Sequence, residues 1–119
     1  MENQHRMIKT YRELSATEIA LMNACKEMEA RVEDLLSRVR VHIIAQSTDA
    51  QNALADPDLP AADAAAAQEV LNRHTDTEPL RWLELSRTNM QVGFMELCRA
   101  IAQPQPIRAV NFNESKEQE

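Results

Sequence analysis

A single glycine in 119 residues, five prolines and only four aromatic side chains leave this chain little with which to build tight turns or the faces of a sheet sandwich. Metal-binding and nucleophilic residues are equally sparse. His5, His42 and His74 are scattered, with no pair at helical metal-ligand spacing, and Cys25 and Cys98 form neither a CxxC nor a Cys/His cluster. Neither cysteine has a histidine close in sequence to activate it, so both read as reduced, buried small hydrophobes. No catalytic residue, metal or cofactor is therefore expected, and the chain does not read as an enzyme. No apolar run approaches about 18 residues and the N-terminus is polar, so neither a membrane span nor a secretory signal is expected, and the expected location is cytoplasmic.

What is present favours helices. Hydrophobic residues make up 44% of the chain while aromatics make up 3%, so burial has to come from Leu, Ile, Val, Met and Ala. The expected fold is all-α: two long helices plus short helical segments. At this length a lone chain buries only a modest core, which favours assembly into a compact homo-oligomer. The formal charge of −6 argues against a general DNA or RNA binder, whose affinity depends on clustered Lys and Arg. The charge is uneven, however. Seven acidic residues fall between Asp49 and Glu78 against the single Arg73, whereas Arg6, Lys9 and Arg12 crowd the N-terminal arm. A small anion would find its positive site there.

Along the chain, Ser15 and Glu18 have the spacing of a capping box and Leu14 can staple onto Ile19, so a helix should begin at Ala16. Met22, Cys25, Glu29, Val32, Leu36, Val39 and Ile43 continue it with alternating three-four spacing, the seam of a helix packed along its length. Leu21, Met28 and Leu35 repeat at seven on a neighbouring face, which widens the stripe towards a subunit contact. The pattern fades after His42 to Gln46. Residues 47–60 read as a linker ending in Asp56-Pro57-Asp58-Leu59-Pro60, and residues 61–73 as a short alanine-rich helix with a weak face of Ala65, Val70 and Leu71. Residues 47–77 together read as an acidic, alanine-rich insertion within a single helical domain of residues 1–104. Pro79 should open the second long helix, with Leu83, Met90, Phe94, Leu97 and Ile101 on one face and Pro104 at its end. Gly93, the lone glycine, falls mid-helix, where it suggests a close helix crossing. Residues 105–119 read as a partly disordered tail whose Ile107, Val110 and Phe112 are placed to reach a neighbour.

Two strings carry a family resemblance. HRMIKTYRELSATEIALMNACK, from His5 to Lys26, and RWLELSRTNMQVGFMELCRAIAQP, from Arg81 to Pro104, resemble in the same order the phage anti-CBASS cyclic-oligonucleotide sponges, and cover somewhat over a third of the chain. That resemblance implies a helical protomer assembling into a hexamer. It further implies that the protein sequesters cyclic dinucleotides such as cyclic GMP–AMP, and cyclic trinucleotides at a second set of pockets, without cleaving them. By the same matching, Tyr11 stacks on a purine and Lys26 meets the phosphodiester or base edge, with Lys9 and Arg12 adding positive charge. An aromatic face contributes roughly 1–3 kcal/mol per stacked base, and a Lys ammonium is a phosphate-binding point charge. Arg81 and Met28 fall at the trinucleotide pocket; Met28 stands where the resemblance would place a hydroxyl side chain.

The residues alone leave other readings open. Tyr11 also fits a core aromatic with a satisfied hydroxyl, Lys26 a solvated face, and Arg81 a first-turn surface arginine beside a Trp82 packed into the core. A helical regulatory or structural protein that docks a partner protein through its apolar stripe is the rival class.

Overall fold

The computed structural model describes residues 12–106 and is all-helical across them. Lys9 and Tyr11 lie outside the described residues, as does the expected tail from residue 107 on. Three helices make up the rest: α1 (Ala16–Leu54), α2 (Ala61–Thr77) and α3 (Pro79–Ala102). At 1.5 Å per residue the 39-residue α1 is roughly 58 Å long. Helices α2 and α3 run back along it one after the other, so the chain is a helical hairpin whose return arm is broken once.

Helix α1 starts where the capping box places it. The Glu18 N–H donates to Ser15 Oγ at 3.2 Å and the Ser15 N–H donates to Glu18 Oε1 at 2.8 Å. Its far end differs from the expected linker: the helix continues unbroken through Ser47 to Leu54, and only residues 55–60 are non-helical. Small Ala50 is buried on this stretch, so the helix there is fixed by close packing that a hydrophobic pattern does not register. Pro57 then stops it, because a residue preceding proline is driven out of the α conformation, and Asp56 accepts the Asp58 N–H at 3.0 Å to close the turn.

Proline also breaks the return arm. A proline ring after Glu78 clashes with a continuing α2 and cannot donate to it, but it fits the first turn of a new helix. Glu78 therefore adopts a left-handed conformation, φ 48° and ψ 58°, ending α2 and starting α3 in one residue. Gln103 before Pro104 does the same at the end of α3, with φ 48° and ψ 57°. With one glycine in the chain, both stops fall to residues with a Cβ, at a cost of roughly 1–2 kcal/mol each.

The core is a narrow seam. Leu36, Ile43 and Leu83 are buried together with Val32 packed against them, and Cys25 is buried further towards the open end. The seam predicted along α1 is thus largely the one used, although Val39 lies at its exposed margin. On α3 the inward positions are Leu83, Arg87, Phe94, Cys98 and Ile101, while Met90 and Leu97 turn outward. On α2 the inward line is Ala64, Ala67, Leu71 and His74, with Val70 beside it and Ala65 exposed, which corrects the face expected there. Trp82 is 60% exposed, not a core anchor. A Cβ added to Gly93 would meet nothing within 4 Å, so among the described residues no helix crosses close to it. Leu21, Met28 and Leu35 stay half exposed, at 51%, 51% and 53%, as an uncovered apolar stripe along α1.

Candidate functional site

The open end of the hairpin is organised by Arg12. Its Nε donates to the Ala102 carbonyl at 3.0 Å and its Nη2 to the Ile101 carbonyl at 3.4 Å, capping the last turn of α3. The same guanidinium forms a two-pronged ion pair with Glu18, the capping-box carboxylate of α1. The guanidinium–carboxylate hydrogen bond, helped by the Ser15 N–H, pulls the Glu18 carboxyl from an ordinary 4.5 down to about 2. The reciprocal hydrogen bond raises the Arg12 pKa further. One side chain thereby joins the start of α1 to the end of α3. No local sequence rule links Arg12 to Ala102, which lies 90 residues away; the only hint was the surplus of arginine ahead of a complete cap.

Beside this clamp opens an apolar cavity of about 590 Å³, with Arg12, Leu14, Ile19, Met22, Ala102 and Pro104 among its walls. That volume is in the range of small-molecule pockets. Lys26 is exposed on α1 four residues after Met22, so it sits on the same side of the helix one turn beyond the wall. The structure therefore brings the Arg12 junction to the same end of the hairpin as Lys26. Residues from the two motif strings meet at this end.

Arg81 lies at the other end of α3. Its guanidinium covers the Trp82 ring at 5.3 Å from the centroid and approaches Glu78 at 3.7 Å, and it borders a second hollow of about 480 Å³ at the α2–α3 break. Ser47, Gln51, His74 and Thr75 line the same hollow. His74 holds α2 to α1 there through Ser47 Oγ at 2.8 Å and Gln46 Oε1 at 3.1 Å, a polar link that the weak α2 pattern did not announce. Met28 does not share this end. Glu84, one turn after Arg81, pairs with Arg40, and Met28 lies twelve residues before Arg40, roughly 18 Å back along α1. Within one chain Met28 and Arg81 do not meet.

Between the two ends, Arg87 donates to Glu33 at 3.0 Å and Gln91 adds a weak 3.5 Å contact to the same carboxylate, keeping α1 and α3 in register. Among the described residues no group of His, Cys, Asp and Glu is placed to hold a metal ion, and no helix is long and apolar enough to cross a membrane.

Comparison with known proteins agrees with this architecture. The family described as the Acb2/Tad1 hairpin domain matches residues 3–102. Anti-CBASS protein 2 of Pseudomonas phage JBD67 is 38% identical over 109 residues, which span 88% of this chain and 98% of that protein.

Proposed function

The chain belongs to the Acb2/Tad1 hairpin family, and from that premise we propose that it binds and sequesters cyclic oligonucleotide signals, antagonising CBASS immunity without cleaving them. The observation that carries this reading is the convergence at the open end of the hairpin. The Arg12 clamp between the helix ends, an apolar cavity and an exposed lysine together offer a base-sized apolar surface with a positive charge one helical turn away. In this reading Tyr11 stacks on a purine and Lys26 and Lys9 attract the phosphodiester, while Arg12, its charge balanced by Glu18, contributes by joining the two helix ends beside the ligand. In this reading the arm is held by the oligomer before the ligand arrives and so loses little entropy on binding, which suits the tight capture that sequestration requires. Protease sensitivity at the arm is accordingly expected to be similar with and without ligand.

The protomer functions as part of a homo-oligomer, a hexamer in this reading, with the stripe of Leu21, Met28 and Leu35 covered by neighbouring copies. Assembly also gives a role to the pair that one chain keeps apart. A cyclic trinucleotide that touches both Arg81 and Met28 takes them from different subunits. No step of bond cleavage is assigned to any residue.

The test is isothermal titration of the protein with cyclic GMP–AMP, followed by heat release and chromatography of the nucleotide. Tight binding with the ligand recovered intact is expected. Tyr11→Ala and Lys26→Ala should each weaken it on the order of 10- to 100-fold with the oligomer intact, as loss of one stacked base or one phosphate contact implies. The rival reading, a partner-binding helical protein, takes its support from the exposed stripe. It predicts the reverse: no effect of Tyr11→Ala and loss of function from Leu35→Glu in an oligomer of unchanged size.

A further inference from the structure

Cys25 and Cys98 have no part in the proposed ligand site, yet they face each other across the hairpin. Cys25 is buried on the inner side of α1 and Cys98 is half-buried on α3, 73 residues away in sequence, with their sulfur atoms 3.5 Å apart. Both are free thiols. Sulfurs already in van der Waals contact have to approach from 3.5 Å to about 2.05 Å to bond. The two belong to one chain and are its only cysteines, so an intrachain pairing has no competitor within the protomer.

We propose that this pair is an oxidisable staple: a small-molecule disulfide such as oxidised glutathione converts the two thiols into a Cys25–Cys98 disulfide that locks α1 to α3 beside the candidate ligand cavity. Cys98 is the better exposed of the two and reacts first. As a thiolate it attacks one sulfur of glutathione disulfide, forming a Cys98–glutathione bond and expelling one glutathione thiolate. Cys25 then gives up its proton and attacks Cys98 Sγ, breaking the mixed disulfide and releasing the second glutathione thiolate. The two protein thiols are oxidised, one glutathione disulfide is reduced to two glutathione molecules, and the two cysteine protons end on the leaving thiolates. Burial pushes the Cys25 thiol up, which fits the order given: it is the resolving partner, delivered by contact and not by free encounter.

The location gives the staple its effect. Cys25 directly precedes Lys26 and lies three residues beyond the cavity wall at Met22, while Cys98 lies one turn before the Ala102 carbonyl that Arg12 holds. A bond there fixes the spacing of α1 and α3 at the mouth of the cavity and leaves the far end with α2 untouched.

The full chain is incubated with oxidised glutathione, trapped by alkylation, denatured and weighed. The expected product is a monomer lighter by two hydrogens and closed to alkylation, whose digest contains a Cys25–Cys98 cross-linked peptide, and which a dithiol reductant restores. Its thermal midpoint should rise on the order of 10 °C, as closing a long loop implies. Cys25→Ser should instead accumulate a stable glutathione adduct on Cys98, and Cys98→Ser should stay largely unmodified. Stable accumulation of the single adduct in the unaltered protein, or cross-links only between chains, would overturn the proposal; so would recovery of two free thiols.

Discussion

The two halves of the hairpin are held by different chemistry. Along α1 and α3, Leu36 and Leu83 bury large side chains, the thiols of Cys25 and Cys98 touch, and Arg87 and Glu33 bridge the helices. Along α1 and α2 the buried residues are Ala50 and Ala67, and the specific link is polar: His74 between Ser47 and Gln46. Burying an alanine removes little apolar area from water, so the α2 half gains less from desolvation and relies on close backbone approach. The half with large side chains is the one that carries the candidate dinucleotide site. This is where a fixed geometry is most useful.

The comparison breaks most visibly at its strongest point. Leu36→Ala removes the centre of the α1–α3 seam and should lower stability by about 2–5 kcal/mol in urea denaturation. A loss below the lower bound would mean that the seam is not the main core. Ala67→Leu asks the opposite question of the α2 half: if the helices there are in close contact, overpacking should cost about 1–3 kcal/mol by the same measurement. A neutral result would make α2 a loosely docked arm, and the contrast between halves would have to be redrawn.

Smaller effects sharpen the description of the open end. Gly93→Ala should stabilise an isolated protomer by about 0.8–1 kcal/mol, because none of the described residues crowds the added Cβ and alanine is the better helix former. If the same change weakens assembly in sedimentation, the close approach that the glycine suggested lies between subunits. For Glu18 the acid limb is diagnostic. Its folded pKa of about 2 lies below the ordinary 4.5, so its contribution is complete above about 4.5 and disappears as the pH falls towards 2. The denaturation midpoints of the unaltered protein and of Glu18→Gln should therefore be separated at neutral pH and converge over that window. A separation that stays constant would mean that the Arg12–Glu18 pair is not maintained in solution.

Legibility followed side-chain size. Ser15, Glu18, Leu36, Ile43 and Pro79 could be placed from the sequence because a cap, a three-four apolar repeat and a proline each act over a few residues. The run of α1 from Ser47 to Leu54 and the inward line of α2 could not, because small Ala50 and Ala67 contribute no hydrophobic signal yet fit where larger residues would not. The Arg12 clamp was hidden for a different reason: its partners are backbone carbonyls at the far end of the chain, and any residue supplies a carbonyl.

By itself, then, the sequence determined the all-helical fold, the start of each long helix, the acidic character of the middle and the family to which the two motif strings point. These depend on local propensity, on periodicity and on residue identity. The tertiary structure alone decided that α2 packs as part of the return arm, that Arg12 joins both helix ends, that Trp82 faces solvent, that the two thiols touch, and that Met28 and Arg81 lie too far apart to share a ligand in one chain. Each of those depends on which residues a hairpin roughly 58 Å long brings opposite one another, and that register is set by packing over the whole length of α1.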